Sequence, residues 1–316
     1  MNSTSVPRPE TALSFDPTEG TVVRTPPGPG YGNWVGGKVS YDAVSGRFVL
    51  FFRERKPLEL GRAGRCGVAV SADGLTFEEV WSATKEQFSA DSIEEGHCVR
   101  HGEEWWLYVS YEIARTGTWR IDVLTAASPD GFDAQSRRTV LWPGDYGLPW
   151  IKDPHIYRRD EEWWLYAAVP PRTGPRIEGD VVHAGPLDAT VLAVSQDGRY
   201  FPTIEYVFEP TGEDNWHGRR ARINSVMPWG DGYVAMWDGG RTFYDNYEEW
   251  AGIATSPDGR IFERVATGGP WVRSPYGAVR YVGMVPVESQ VFMYYEYTRQ
   301  DGAHELRASV VTPSPR

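Results

Sequence analysis

The feature that most constrains this chain is a sentence written twice. Residues 95–108 read EGHCVRHGEEWWLY and residues 153–166 read DPHIYRRDEEWWLY. At an offset of 58, Glu95 falls on Asp153, His97 on His155, Arg100 on Arg158, and EEWWLY on itself. Self-similarity at a period of several tens of residues marks stacked or radially repeated supersecondary units. A second echo runs further: SADGLTF (71–77), SPDGFDA (128–134), SQDGRYF (195–201) and SPDGRIF (256–262), spaced 57, 67 and 61 residues apart. Asp-Gly between β-prone runs is a strong hairpin signal, because glycine takes positive φ without steric cost.

The repeats divide the chain. Second strands read RFVLFF (47–52), WWLYVS (105–110), WWLYAA (163–168), YVAMWD (233–238) and VFMYYE (291–296). Third strands read CGVAVS (66–71), IDVLTAAS (121–128), TVLAVS (190–195), WAGIATS (250–256) and ELRASVV (305–311). No helix of any length interrupts them. The expectation is an all-β, five-bladed β-propeller of four-stranded antiparallel blades, at about 31–88, 89–145, 146–212, 213–270 and 271–316. The last unit runs out after its third strand, near Val311. Within an N-terminal tail at 1–30, either TVVR (21–24) or LSF (13–15) can supply the missing strand and hide the edge. Residues before 12 and the final PSPR read as disordered. A pair of β-sandwiches would explain neither the period nor the matched EEWWLY.

Composition excludes some functions. A net charge of -11 makes the chain a poor binder of phosphate backbones, so nucleic acid is set aside. No apolar run is long enough to span a bilayer and MNSTSVPRPE lacks a signal pattern, so the expectation is a cytoplasmic protein with no membrane partner. Cys66 and Cys98 form no metal knuckle. The 14 Trp and 17 Tyr favour β structure, a carbohydrate-binding surface, or both.

In a propeller, first strands line the channel, and the loops between second and third strands open on the same face. Glu95 and Asp153 then stand at the starts of neighbouring inner strands, with His97 and His155 two residues on and pointing the same way. The corners after the second strands offer Arg53-Glu54, Tyr111-Glu112, Trp237-Asp238 and Tyr295-Glu296. Arg222 and Asn224 join from the fourth unit, Tyr276 and Arg280 from the fifth. Carboxylates crowded at one mouth cannot all ionise freely, and one should hold its proton. A protonated carboxyl facing an ionised one is the minimum equipment for glycoside hydrolysis. The catalytic candidates are Glu95, Asp153, Asp238, Glu112 and Glu296. The substrate-binding candidates are His97, His155, Arg53, Glu54, Arg222, Asn224, Arg280 and Trp34.

No cofactor motif occurs, although two carboxylates beside two imidazoles could hold a divalent ion. The EEWWLY tryptophans read as packing, whereas Trp34, Trp150, Trp216 and Trp271 lie in loops where they can stack on sugars. Glu248-Glu249, in DNYEEW, reads as a solvated edge or as an entry into a third strand from the active face.

The five-unit layout, the KDPHIY stretch (152–157) and the SxDG turns resemble the β-propeller glycosidases, with their arabinanase/xylosidase-type and invertase/levansucrase-type enzymes. In members of that superfamily an Asp-Pro pair often opens an inner strand, as Asp153-Pro154 would here. The resemblance implies glycoside hydrolysis on a furanoside or small glycan, with Asp153 tuning the acid and holding the sugar. Two departures stand beside it. The superfamily's aspartate on the first inner strand is replaced, in NWVGGKVSY (33–41), by Gly37, and the nearest acid, Asp42, falls in a turn. The acid expected on the fourth unit would fall near Arg222–Ser225, where no carboxylate occurs. Either Glu95 and a corner residue supply the acid and base, or the protein is a non-hydrolytic glycan-binding or tailoring propeller.

Overall fold

The computed structural model describes residues 7–172, 177–178, 181–182, 187–241 and 249–313. Consecutive strands pair in antiparallel ladders. The first comprises β2 (Trp34–Asp42), β3 (Arg47–Arg55), β4 (Arg65–Ser71) and β5 (Glu78–Thr84). β6 (Ala90–His101), β7 (Glu104–Ile113), β8 (Trp119–Ala126) and β9 (Arg138–Leu141) follow. Next come β10 (Lys152–Arg159) and β11 (Glu162–Val169), a short separate ribbon of β12 (Ile177–Glu178) and β13 (Val181–Val182), then β14 (Ala189–Ser195) and β15 (Ile204–Phe208). β16 (Arg222–Trp229), β17 (Gly232–Gly239), β18 (Trp250–Ser256) and β19 (Glu263–Arg264) make the next ladder. The last runs β20 (Val279–Val287), β21 (Gln290–Thr298), β22 (His304–Val311), and β22 also pairs with β1 (Thr21–Arg24). The fold is all-β, built of four-stranded antiparallel sheets as in a β-propeller.

The apolar faces of neighbouring sheets pack on one another. Phe51 and Val68 meet Leu107 and Val109; Tyr108 and Ile121 meet Leu165 and Val191; Tyr166 and Leu192 meet Ala235 and Trp237. Met236 and Ile253 meet Val282 and Met293, and Tyr294 and Leu306 meet Leu50 and Val35. Each second strand is thus apolar on both faces, which is why WWLY shows no alternation.

The doubled motif works between sheets. Tyr108 donates its hydroxyl to the carbonyl of Gly198, Tyr166 to that of Gly259, and Tyr294 to that of Gly74, each at 2.8 Å. A tyrosine midway along one sheet's second strand therefore grips the Asp-Gly turn of another. Inside the turn, Ser195 Oγ accepts from the Gly198 N–H at 2.9 Å, and Asp197 accepts from Arg199 and Tyr200. Trp106 and Trp163 stack at 5.0 Å, as packing residues should. Gly198 has φ 71°, and a Cβ there would come 2.8 Å from the Trp163 ring.

The N-terminal tail departs from expectation. Residues Pro9–Ala12 form a helical turn, α1. The Trp229 indole N–H donates to Pro7 O at 3.0 Å and that of Trp271 to Glu10 O at 3.1 Å. Half-buried indoles still seek acceptors, and the tail's carbonyls supply them. Leu13 is fully buried and Phe15 packs on Trp271 and Tyr295, so LSF fills a core while Thr21–Arg24 makes the ladder. Of the PSPR terminus, only Pro313 is among the described residues.

Candidate active site

Four first strands carry a β-bulge at the same level. Register shifts between Ile93 and Gly96, Lys152 and His155, Ile223 and Ser225, and Arg280 and Gly283, whereas β2 runs without a break. A bulge turns side chains out of strict alternation and recurs beside active sites for that reason. Here it brings Glu94, Glu95, Asp153, Asn224 and Tyr281 into a buried centre. Asp153 and Tyr281 have φ of 58° and 52°. Aspartate tolerates that conformation, but a tyrosine there is a backbone outlier of the kind that clusters at functional sites.

The centre is a lattice of carboxylates and guanidiniums, all nearly inaccessible. Arg53 meets Glu95 at 3.0 Å and Glu296 at 2.8 Å. Arg280 bridges Glu296 and Glu249, both at 2.7 Å. Arg222 reaches Asp238 at 2.9 Å, Glu249 at 3.1 Å and Asp153 at 3.5 Å. Arg55 pairs with Glu94, and Arg220 with Asp188. The Tyr281 ring lies 4.2 Å from the Arg222 guanidinium carbon, and its N–H donates to Asp238 at 3.1 Å.

The environment separates the acids. Burial drives the Glu95 carboxyl up to about 7, against the opposing pull of Arg53. Burial likewise raises Asp238 to about 6, although Arg222 opposes it. For Glu249 burial is outweighed by Arg222, Arg280 and Arg220, which hold it down at about 2. Arg280 and Arg53 depress Glu296 still further, against its burial. Asp153 is also buried yet depressed, by Lys152, Arg222, Arg53 and Lys38. Lys38 falls to about 8 because it is buried, while Glu95, Asp153 and Asp238 support its charge. Glu95 and Asp153 thus share the field of Arg53 and Lys38 but differ in charge. Both Glu95 oxygens and Asp153 Oδ1 accept no hydrogen bond among the described residues.

The histidines stand elsewhere. His97 Nδ1 accepts the Ile156 N–H and His155 Nε2 accepts the Val226 N–H, both at 3.0 Å, and Ser225 Oγ accepts the Met284 N–H in the same manner. The two rings stack at 5.2 Å beside a cavity of about 410 Å³ that they line with Lys38, Tyr157 and Met227. Burial and, for both, the charge of Lys38 lower their pKa well below the usual histidine range, so both are neutral acceptors that join sheets. The bulge at Glu94-Glu95 takes Glu95 out of the alternation that resumes at Gly96 and places His97, which explains why carboxylate and imidazole do not point together. Among the described residues, no group of three His, Cys, Asp or Glu side chains is arranged to hold a metal ion.

Of the corner residues, Asp238, Glu296 and Arg53 join the centre with Arg222, Arg280 and the buried Asn224, whereas two carboxylates do not. Glu54 faces outward to Arg24 at 2.8 Å and Arg65 at 3.0 Å. Glu112 meets Arg62 at 3.3 Å on the rim. Trp34 is buried against His304 at 5.0 Å, Trp216 stacks on Trp237 at 5.2 Å, and Trp150 lies 5.7 Å from the Lys152 amino group. Tyr276 is exposed. Glu249 is buried at the centre, not a solvated edge; Glu248 lies outside the described residues. Sequence reasoning missed Glu94, Lys38, Tyr281 and His304; the only signal was the doubled acid Glu94-Glu95 at a strand start.

The missing acid on β2 has a steric explanation. A Cβ on Gly37, the matched position, would come 2.2 Å from the Phe51 carbonyl oxygen, and one on the preceding Gly36 would come 1.8 Å from Glu296 Oε1, so backbone and carboxylate occupy the room a side chain on β2 would need. Gly36→Ala is therefore expected to displace that carboxylate from Arg53. Overpacking of this kind costs about 1–3 kcal/mol, read as a lowered urea midpoint; an unchanged midpoint would contradict the packing.

No family model matches the sequence, and no curated sequence matches it significantly. Solved structures do match in fold. The GH43_1 enzyme from Xanthomonas citri complexed with xylotriose superposes at TM-score 0.64, with 12% identity over 92% of this chain and 90% of its own. The RS223 β-xylosidase gives 0.65 and 9% over 92% and 96%. The β-1,2-mannobiose phosphorylase from Listeria innocua gives 0.62 and 15% over 95% and 93%. At this identity the likeness is one of architecture: the chain shares the β-propeller fold of the glycoside hydrolases and phosphorylases it matches.

Proposed function

We propose that the chain is a glycosidase on a five-bladed propeller, its last blade completed by Thr21–Arg24, acting on a furanoside or small glycan. The β1–β22 ladder and the Tyr294–Gly74 bond support the ring. In this reading, Glu95 holds a proton near neutral pH and gives it to the glycosidic oxygen as that bond breaks. Ionised Asp153 activates water or attacks the sugar carbon. Asp238, Glu249 and Glu296 have oxygens engaged by arginine and fix the lattice. One observation carries the assignment: among the described residues both oxygens of Glu95 accept no hydrogen bond, whereas Asp238, the other acid raised by burial, accepts from Arg222 and from the Tyr281 N–H, and Asp153 beside Glu95 is held ionised. The names of the matched structures, two glycosidases and a phosphorylase among them, support the substrate class.

A panel of nitrophenyl furanosides and pyranosides, assayed with and without inorganic phosphate, tests the reading. Release of nitrophenol that disappears in Glu95→Gln and Asp153→Asn is the expected result. A second reading, a non-hydrolytic glycan-binding propeller, is favoured by the near-complete burial of the central acids. Sugar binding with no cleavage across the panel would replace the first reading with the second.

A further inference from the structure

A cavity of about 120 Å³ adjoins the centre, lined by Tyr31, Trp34, Arg55, Pro57, Leu58 and Arg62, among others. Its inner wall touches the lattice directly. The Trp34 ring lies 4.9 Å from the Arg280 guanidinium carbon, and Arg55 pairs with Glu94, next in sequence to Glu95. Tyr31 meets Trp34 edge to face at 5.6 Å. Gly32, at φ 88°, lets the Tyr31 loop close on Pro57; a Cβ there would come 2.8 Å from the Pro57 Cα. The rim is apolar and bare: Leu58 is 59% exposed and Tyr31 55%. Arg55 is only 7% exposed, and its buried Nε–H has no acceptor among the described residues. Arg55, Lys56 and Arg62 outnumber Glu59 around the walls.

Size and chemistry select an occupant. An apolar cavity of about 150 Å³ takes up benzene, so this slightly smaller, open one suits a single ring. A sugar here would turn hydroxyls towards Pro57 and Leu58 and lose hydrogen bonds to water. An aromatic face suits Tyr31 and Trp34, and an acceptor oxygen suits the cationic walls of Arg55, Lys56 and Arg62.

We infer that this cavity seats the leaving group of the substrate, a single aromatic ring bearing an acceptor oxygen. The inference rests on the glycosidase reading for the words "leaving group", and the test separates the two.

The probe is 4-fluorobenzoate, titrated against the full chain by fluorine NMR, with fluorobenzene as the partner lacking the acceptor. Saturable binding of 4-fluorobenzoate is expected, weakened about 5- to 10-fold in Tyr31→Ala and in Leu58→Ser. Fluorobenzene should bind more weakly than 4-fluorobenzoate, and Glu95→Gln should leave the titration unchanged. Both rim residues are exposed, so these variants should fold, which circular dichroism checks. In parallel, Leu58→Ser should lower kcat/KM for a nitrophenyl glycoside but not for the methyl glycoside of the same sugar. Equal binding to wild type and both variants, or no saturation, overturns the site. Equal losses on the two glycosides overturn its role towards the leaving group. Loss of 4-fluorobenzoate binding in the variants, with no glycoside cleaved by any form, supports the aromatic site and removes the glycosidase reading alone.

Discussion

Arg222→Met is expected to be the most destabilising single change in this chain. Arg222 is 1% exposed and holds Asp238, Glu249 and Asp153 on one guanidinium, with the Tyr281 ring 4.2 Å from its central carbon. Methionine matches its length but leaves the acids facing one another in a site closed to water. Removing one partner of a buried ion pair costs about 3–5 kcal/mol, and here more than one acid is left short. The sign of the pH dependence follows. Without the cation, native Glu249 and Asp153 bind protons more tightly than in the unfolded chain, so the variant loses stability as pH rises above the usual carboxylate range. The deficit against wild type, measured by urea unfolding, should therefore be large at pH 7 and shrink towards pH 4.5. Arg222→Lys should recover part of it, since an ammonium restores charge without the fork. A deficit below about 1 kcal/mol, flat with pH, would show that the lattice does not depend on this residue.

Glu95→Gln is expected to lower kcat by about 10²–10⁴ if Glu95 is the proton donor, while keeping the shape of the buried side chain. With Glu95 raised to about 7, wild-type activity should fall as pH rises through that value, and the low-pH limb, set by the depressed Asp153, should lie below the usual carboxylate range. Stability offers an independent reading. A carboxyl raised in the native state is protonated there while its unfolded counterpart is charged, so between pH 4.5 and about 7 wild type loses stability as pH rises. At about 1.4 kcal/mol per pH unit, the loss is on the order of 3 kcal/mol. Glutamine cannot titrate, so the stability of Glu95→Gln relative to wild type should climb over the same interval. A variant that keeps its activity and tracks wild type with pH would strip Glu95 of both roles.

The strands were legible because packing and turn chemistry write themselves at fixed spacing. Every second strand and Asp-Gly turn read from the sequence is where the structure has it, and the turns at Gly74, Gly198 and Gly259 also serve as grips between sheets. The site was legible only in part, and parity is one reason. Counted from the tyrosine or its equivalent midway along each second strand, the inward position lies two residues on: Arg53 after Phe51, Asp238 after Met236, Glu296 after Tyr294. Glu54 is one residue further and faces out; Glu112, four after Tyr108, is inward in phase but too far along. Reading corners as groups of two residues ignored that alternation. The bulges are the other reason. One residue inserted at the same level of β6, β10, β16 and β20 separates Glu95 from the facing of His97, and brings in Glu94 and Tyr281. Nothing in local composition marks where a ladder will slip.

Strand β1 gives the molecule an unusual dependence on its first two dozen residues. Thr21, Val22 and Arg24 lie beside Ala308, Arg307 and Leu306, almost three hundred positions away, and the indoles of Trp229 and Trp271 grip the stretch that precedes them. An amino-terminal deletion reaching residue 25 would leave the flank of β22 bare, with amides and carbonyls available to any passing strand. Such a shortened chain should gather into oligomers by borrowing from its neighbours, so tags and truncations at this end act on assembly as much as on folding.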